Sequence, residues 1–269
     1  AMGRRGAEAA RQAADMVLQD DDFASIVAAV RQGRAIFANI RRAAIFMLST
    51  NAAEILAVTV AALAGWPLPL RPLQILYLNL LTDALPALAL AIGAATGSEL
   101  QRPPRDPAEP ILARRHWMQV MIGGGVIAGS VLGALLVAIG GLGLGEVPAV
   151  TVSFLALAIG KMGFAFTLRD PGSPRVRNEI TGNPWIWASL LVCGLLLVAG
   201  VHLPWIAAVL ETRSPGVAGW RVAIAAAAVP LLAGELVLTV RRGRRRRRHR
   251  GGPSPGAPRS PRRCPAVHG

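Results

Sequence analysis

The sequence predicts a mainly α-helical fold: a six-span helical membrane bundle with a small, incomplete cytoplasmic α/β piece at its N-terminus. Three observations predict it. Of 269 residues, 53% are hydrophobic and only 16% are charged, where a water-soluble domain carries about 25% charged residues. Six apolar stretches are each long enough to cross a bilayer, which takes about 20 residues of helix. The basic residues alternate between loops in a way that fits an even number of crossings.

The N-terminal segment, residues 1–42, is polar and lacks the pattern of a secretory signal. AADMVLQDDDFASIVAAV reads as a short helix, a short strand at 16–18 and a second helix after the aspartates. Asp20, Asp21 and Asp22 suit a helix N-terminus, where carboxylates meet free N–H groups and the positive end of the dipole. Phe23, Ile26, Val27 and Val30 follow the i, i+3, i+4, i+7 spacing of one apolar helix face. No breaker separates this helix from the first span, so it is expected to run on into the membrane as a rod. One strand and two helices bury little core, and the segment reads as the end of a larger α/β domain.

The spans are expected at 43–63, 72–93, 117–140, 149–168, 185–205 and 217–240, the first two joined by the tight GWPLP turn at 65–69. Seven arginines precede the first span, four lie between spans two and three, three between spans four and five, and eleven follow span six. The opposite side holds only Arg71, Arg213 and Arg221. The positive-inside rule therefore puts both termini in the cytoplasm. Residues 241–269 form a basic, disordered tail in this reading. Its run RRGRRRRRHR at 241–250 is expected to meet anionic lipid headgroups. Nucleic-acid binding is not expected, because no aromatic platform or folded reader accompanies the run. Cys193 and Cys264 are the two cysteines, and their placement gives no disulfide framework or metal motif.

Polar residues inside the spans carry the functional reading. Glu235 lies about one turn from the basic tail and is expected to reach the interface or pair with Arg241 or Arg242. Glu54 and Asp83 lie deep, where ionisable groups face a pathway or a partner. Asn51 and Glu54 are three apart in span one. Asn79, Thr82 and Asp83 are i, i+3, i+4 in span two. A short loop makes these spans antiparallel neighbours, so two carboxylates and two carboxamides can converge. Pro86 has no N–H, and the Thr82 carbonyl is expected to lose its helical partner. Irregular backbone at membrane depth is tolerated where it lines a cavity or coordinates an ion. These are hard oxygen donors, suited to a calcium-like cation rather than a soft metal. A buried polar network that glues two helices is the alternative. Lys161, in span four, needs a partner if it stays charged, and Glu54 or Asp83 can supply one.

These residues resemble a known family. The segment AMGRRGAEAARQAADMVLQDDDFASIVAAVRQGRAIFANIRR is similar to the end of the phosphorylation domain of P-type cation-transporting ATPases. LSTNAAEI and LNLLTDALPALAL resemble the fifth and sixth transmembrane helices of its calcium-pump branch, and RPPRDPAEPIL at 102–112 the cytoplasmic loop that follows. The resemblance covers about residues 1–240. It implies cation ligands at Asn51, Glu54, Asn79, Thr82 and Asp83, and a divalent cargo, calcium or manganese. Lys161 falls where the branch often has an acidic or amide residue in the eighth helix, a departure that puts a two-calcium stoichiometry in doubt. The ammonium is expected to act as a built-in cation, leaving one divalent ion or a monovalent exchange per cycle.

The family phosphorylates an aspartate in DKTGT, dephosphorylates through TGES and holds magnesium with TGDGxND. None of these motifs occurs in the 269 residues. The resemblance thus implies that ATP and magnesium serve only the intact pump. This chain is expected to be inactive as an ATPase by itself, and to work with the N-terminal pump portion in cis or in trans. It implies a multi-pass protein of the plasma membrane. The competing expectation is a non-catalytic membrane protein, either a truncated remnant or a regulator of a full-length pump.

Overall fold

The computed structural model describes residues 1–93, 100, 110–170, 173, 174, 176 and 178–250, without the side chains of 241, 242 and 244–250. Most of the 102–112 loop and all of 251–269 lie outside the described residues.

After a short α1 (Glu8–Gln12), helix α2 (Ala24–Leu63) runs for 40 residues without a break, about 60 Å at 1.5 Å per residue. It forms the expected rod, its C-terminal half being the first span. The strand expected at 16–18 does not form. A single parallel bridge joins Met2 to Leu18, and with no second strand among the described residues there is no ladder to extend it. The aspartate run makes a tight turn rather than a simple cap. Asp21 takes a left-handed φ of 57° and accepts from the Arg4 and Arg5 amides. Asp22 accepts from the Ala24 amide at 2.9 Å. Phe23, Ile26, Val27 and Val30 are all exposed on this chain.

The hairpin after α2 closes at Gly65, with φ +68°, a conformation glycine adopts without a Cβ penalty. The second span has three pieces: α3 (Pro72–Leu78), a π-helical turn at Asn79–Asp83 and α4 (Ala84–Ala91). The third is α5 (Arg114–Leu136), which ends in another π turn. The fourth is α6 (Glu146–Ala165) and the fifth α7 (Pro184–His202). The fifth stops three residues before its expected end, because Pro204 opens a separate short helix, α8 (Pro204–Leu210). The last is α9 (Gly216–Arg250). Its backbone stays helical through the basic run expected to open a disordered tail.

Among the described residues, six helices are long and apolar enough to cross a membrane. The fourth, which contains Lys161, is the most enclosed: 78% of its apolar window is buried, against 22–44% for the others. It is therefore the axis of the bundle, with α5 and α9 packed on it and α2 beyond α5. Helices α2 and α5 approach closely. A Cβ on Gly124 would come within 3.0 Å of the Ser49 carbonyl and the Ala52 side chain. Phe46, Ile127, Phe154, Leu155 and Ile186 fill the core.

Candidate cation site

The site forms where α2, the π turn and α6 meet at mid-span. Glu54, Thr82, Asp83 and Lys161 are all buried, Lys161 completely. The lysine points inward. Its Nζ donates to Glu54 Oε1 at 2.6 Å and to Asp83 Oδ1 at 2.9 Å. One ammonium thus joins carboxylates from two other helices. Taken as ionised, the three groups carry a net charge of −1 in a buried place, where an unpaired charge is costly.

Neutral donors complete the carboxylate shells. Thr50 Oγ1 lies 2.9 Å from Asp83 Oδ2 and 3.0 Å from the Met47 carbonyl. A hydroxyl has one proton, and the bond to the carboxylate is the stronger, charge-assisted one. With its carboxamide nitrogen turned inward, Asn79 donates to both Glu54 oxygens at 3.1 Å, the assignment that satisfies both groups. Thr82 gives its proton to the Leu78 carbonyl at 2.9 Å, and its oxygen lies 3.5 Å from Asp83 Oδ1.

Of the residues singled out in the sequence, the structure brings Glu54, Asn79, Thr82, Asp83 and Lys161 together. Asn51 is half-buried and makes no hydrogen bond to the cluster among the described residues. Its neighbour Thr50 takes that place. Thr50 was missed, although its spacing of four from Glu54 puts the two on one helix face. Pro86 is buried in α4, and the helix does not break open ahead of it. The chain widens into the π turn instead, and within that turn the Leu81 carbonyl is met from another helix by Cys193 Sγ at 3.2 Å. Glu235 accepts from Arg169 at 2.7 Å, whereas the side chains of Arg241 and Arg242 lie outside the described residues.

A hard cation fits this donor set: two carboxylates, a carboxamide and two hydroxyls from three elements. Among the described residues no group of three or more His, Cys, Asp or Glu is gathered.

A second ion cluster lies near the residue 170 loop. Arg42 of α2 donates to Asp170 at 3.1 Å and to Glu179 at 3.3 Å. Glu179 also accepts from the Asp170 amide at 2.5 Å and the Ser173 hydroxyl at 2.6 Å. Asn39, three residues earlier, donates to the Gly93 carbonyl at 2.6 Å. The sequence offered no pairing signal for the Asn39 and Arg42 contacts to Gly93, Asp170 and Glu179, which span 54 to 137 residues.

Comparison with known proteins agrees with this architecture. A family model described as "Cation transporting ATPase, C-terminus" matches residues 67–240. A calcium-transporting ATPase of Bacillus subtilis is 33% identical over 238 residues, covering 88% of this chain and 27% of that protein. A P-type sodium-transporting ATPase4 of Toxoplasma gondii is 46% identical over 118 residues, or 44% of this chain and 9% of its own length. Calcium-transporting ATPase type 2C member 2 of Rattus norvegicus is 38% identical over 132 residues, 49% of this chain and 14% of its own. The chain therefore spans about a quarter of the length of the bacterial calcium-transporting relative. With its six spanning helices it is an integral, multi-pass membrane protein, and it belongs to the cation-transporting ATPase C-terminus family.

Proposed function

We propose that the chain is the cation-binding membrane part of an ATP-driven pump and that its cargo is a divalent cation, calcium or manganese. The observation that carries this reading is the Lys161 ammonium held between Glu54 and Asp83. The oxygens it occupies are those a cargo ion needs. Each partner of the two carboxylates can yield. The Lys161 stem can swing away, the Thr50 hydroxyl can rotate, and the Asn79 carboxamide can turn its oxygen inward. Donors that hold the site closed thereby become ligands or leave it. The calcium-transporting relatives favour calcium, while the sodium-transporting relative makes sodium the competing cargo.

Lys161 brings a positive charge of its own, so the site has room for one ion rather than two. ATP and magnesium act in the rest of the pump, and α2 links that part to Glu54. Both termini face the cytoplasm of a plasma-membrane protein, and the 241–250 run lies against anionic headgroups.

The test is equilibrium binding of calcium, manganese and sodium to the chain reconstituted in lipid nanodiscs. Glu54→Gln with Asp83→Asn should abolish divalent binding. Binding unchanged in that double variant contradicts the site. Cation-dependent ATPase activity of a pump containing this chain then ranks the cargo.

A further inference from the structure

We propose that Cys193 is a positioning residue for the cation site: its thiol holds the Leu81 carbonyl and so fixes the π turn that sets Asn79 and Asp83. The inference rests on the cation-site reading above.

Pro86 weakens the backbone hydrogen-bond ladder in this stretch. In α-helical register the amide of residue 86 would serve the carbonyl of Thr82; in π-helical register it would serve Leu81. Proline has no N–H, so neither carbonyl can be served from position 86. The turn at Asn79–Asp83 is π-helical and α4 begins directly after it. Leu81 lies inside that turn, and in α-helical register its amide partner is Leu85 rather than Pro86, so a side-chain donor there adds to the turn's hydrogen bonds. Such a donor comes from another helix: Cys193 of α7 lies with Sγ 3.2 Å from Leu81 O. Cys193 itself is 0% exposed.

The position of this bond matters. Leu81 is midway between Asn79 and Asp83, two residues from each. The two side chains reach Glu54 and Lys161 respectively, so a rotation of the Leu81 peptide moves both. π turns have poorer hydrogen-bond economy than α-helices and occur often at functional sites. A buried carbonyl without a donor would favour a rearranged turn. Helix α7 thus enters the site indirectly, although it supplies no oxygen ligand.

The experiment uses the full chain in nanodiscs with Cys264→Ser, which leaves Cys193 as the sole thiol. Infrared spectroscopy reads the S–H stretch, and calcium titration reads the site. The proposal expects an S–H band lowered from that of a free thiol. Cys193→Ala should weaken calcium binding about five-fold, the loss of roughly one hydrogen bond, with the number of ions bound unchanged. Cys193→Ser, which keeps a donor, should bind within about two-fold of the parent chain, a fraction of that same hydrogen-bond loss. A free-thiol band overturns the proposal, whatever the variants do. So does Cys193→Ala binding like the parent, or Cys193→Ser binding as weakly as Cys193→Ala. Calcium binding that survives Glu54→Gln with Asp83→Asn would instead indict the cation-site reading, and the infrared band still judges the thiol bond.

Discussion

Among the described residues two clusters each place one basic side chain between two carboxylates, and on the proposed function they serve opposite purposes. At mid-span, Lys161 joins Glu54 and Asp83. Near the residue 170 loop, Arg42 joins Asp170 and Glu179. The arginine is a planar fork with several donors, suited to holding two acceptors in fixed geometry. Its cluster is locked further by a backbone amide and a serine hydroxyl on Glu179. Lysine is a point charge on a flexible stem, and the groups around it are hydroxyls and a carboxamide that can turn. The comparison teaches that ion pairing alone does not mark a transport site. On the function proposed above, what marks the site is pairing by groups that a cation can displace, at a depth where the carboxylates cannot go unpaired.

Removing the lysine gives the largest expected effect. Lys161→Met should lower the stability of the cation-free chain by about 3–5 kcal/mol, because it leaves buried carboxylates without a counter-charge. Added calcium should recover much of that loss. Detergent unfolding with and without calcium measures both. A uniform loss that calcium does not relieve would break the comparison, making the two clusters equally structural.

Arg42→Gln should cost less, about 1–3 kcal/mol, because Asp170 is partly exposed and Glu179 keeps two donors. Calcium should not relieve this loss in the same unfolding assay. In a complete pump, the variant should also loosen the coupling of the α2 rod to the residue 170 loop, lowering turnover more than ion affinity.

Packing gives a finer test. Gly124→Ala should cost about 1–3 kcal/mol by overpacking and shift the Ser49–Glu54 stretch, weakening ion affinity. Gly129→Ala, with nothing within 4 Å of its Cβ, should leave affinity unchanged in the same titration. Equal effects of the two would show that the α2–α5 approach does not set the site.

The smallest effect lies in the N-terminal turn. The Ser25 hydroxyl foremost, with the Asp22 amide, holds the Asp20 carboxyl below its ordinary range. The Arg4 amide foremost, with that of Arg5, does the same for Asp21. A lowered carboxyl stabilises the turn when ionised. Its contribution is complete above the unfolded value near 3.8 and is lost as pH falls through the lower folded value. Amide shifts of Arg4 and Arg5 should therefore move in that acid range.

The two regions were also unequally legible in the sequence. Span count, the α2 rod and the deep carboxylates could be read because apolar length and a buried charge are local signals. Lys161 stood out for the same reason, as a charge in an apolar helix. The π turn did not, since Pro86 announces a lost hydrogen bond but not the register that absorbs the loss. Thr50 was passed over for Asn51, one residue and about 100° away around the helix. The strand at 16–18 failed because local β-propensity forms no ladder without a neighbour. The Arg42 cluster stayed hidden because its partners are over 120 residues away in the chain and every charge in it is ordinary for a loop or helix end.

Calcium stoichiometry in the reconstituted chain tests the central claim most directly. Direct counting of bound ions should give one calcium per parent chain, none after Glu54→Gln with Asp83→Asn, and altered stoichiometry or selectivity in Lys161→Gln, where the built-in charge is gone. Identical stoichiometry and selectivity with and without the lysine charge would contradict the account.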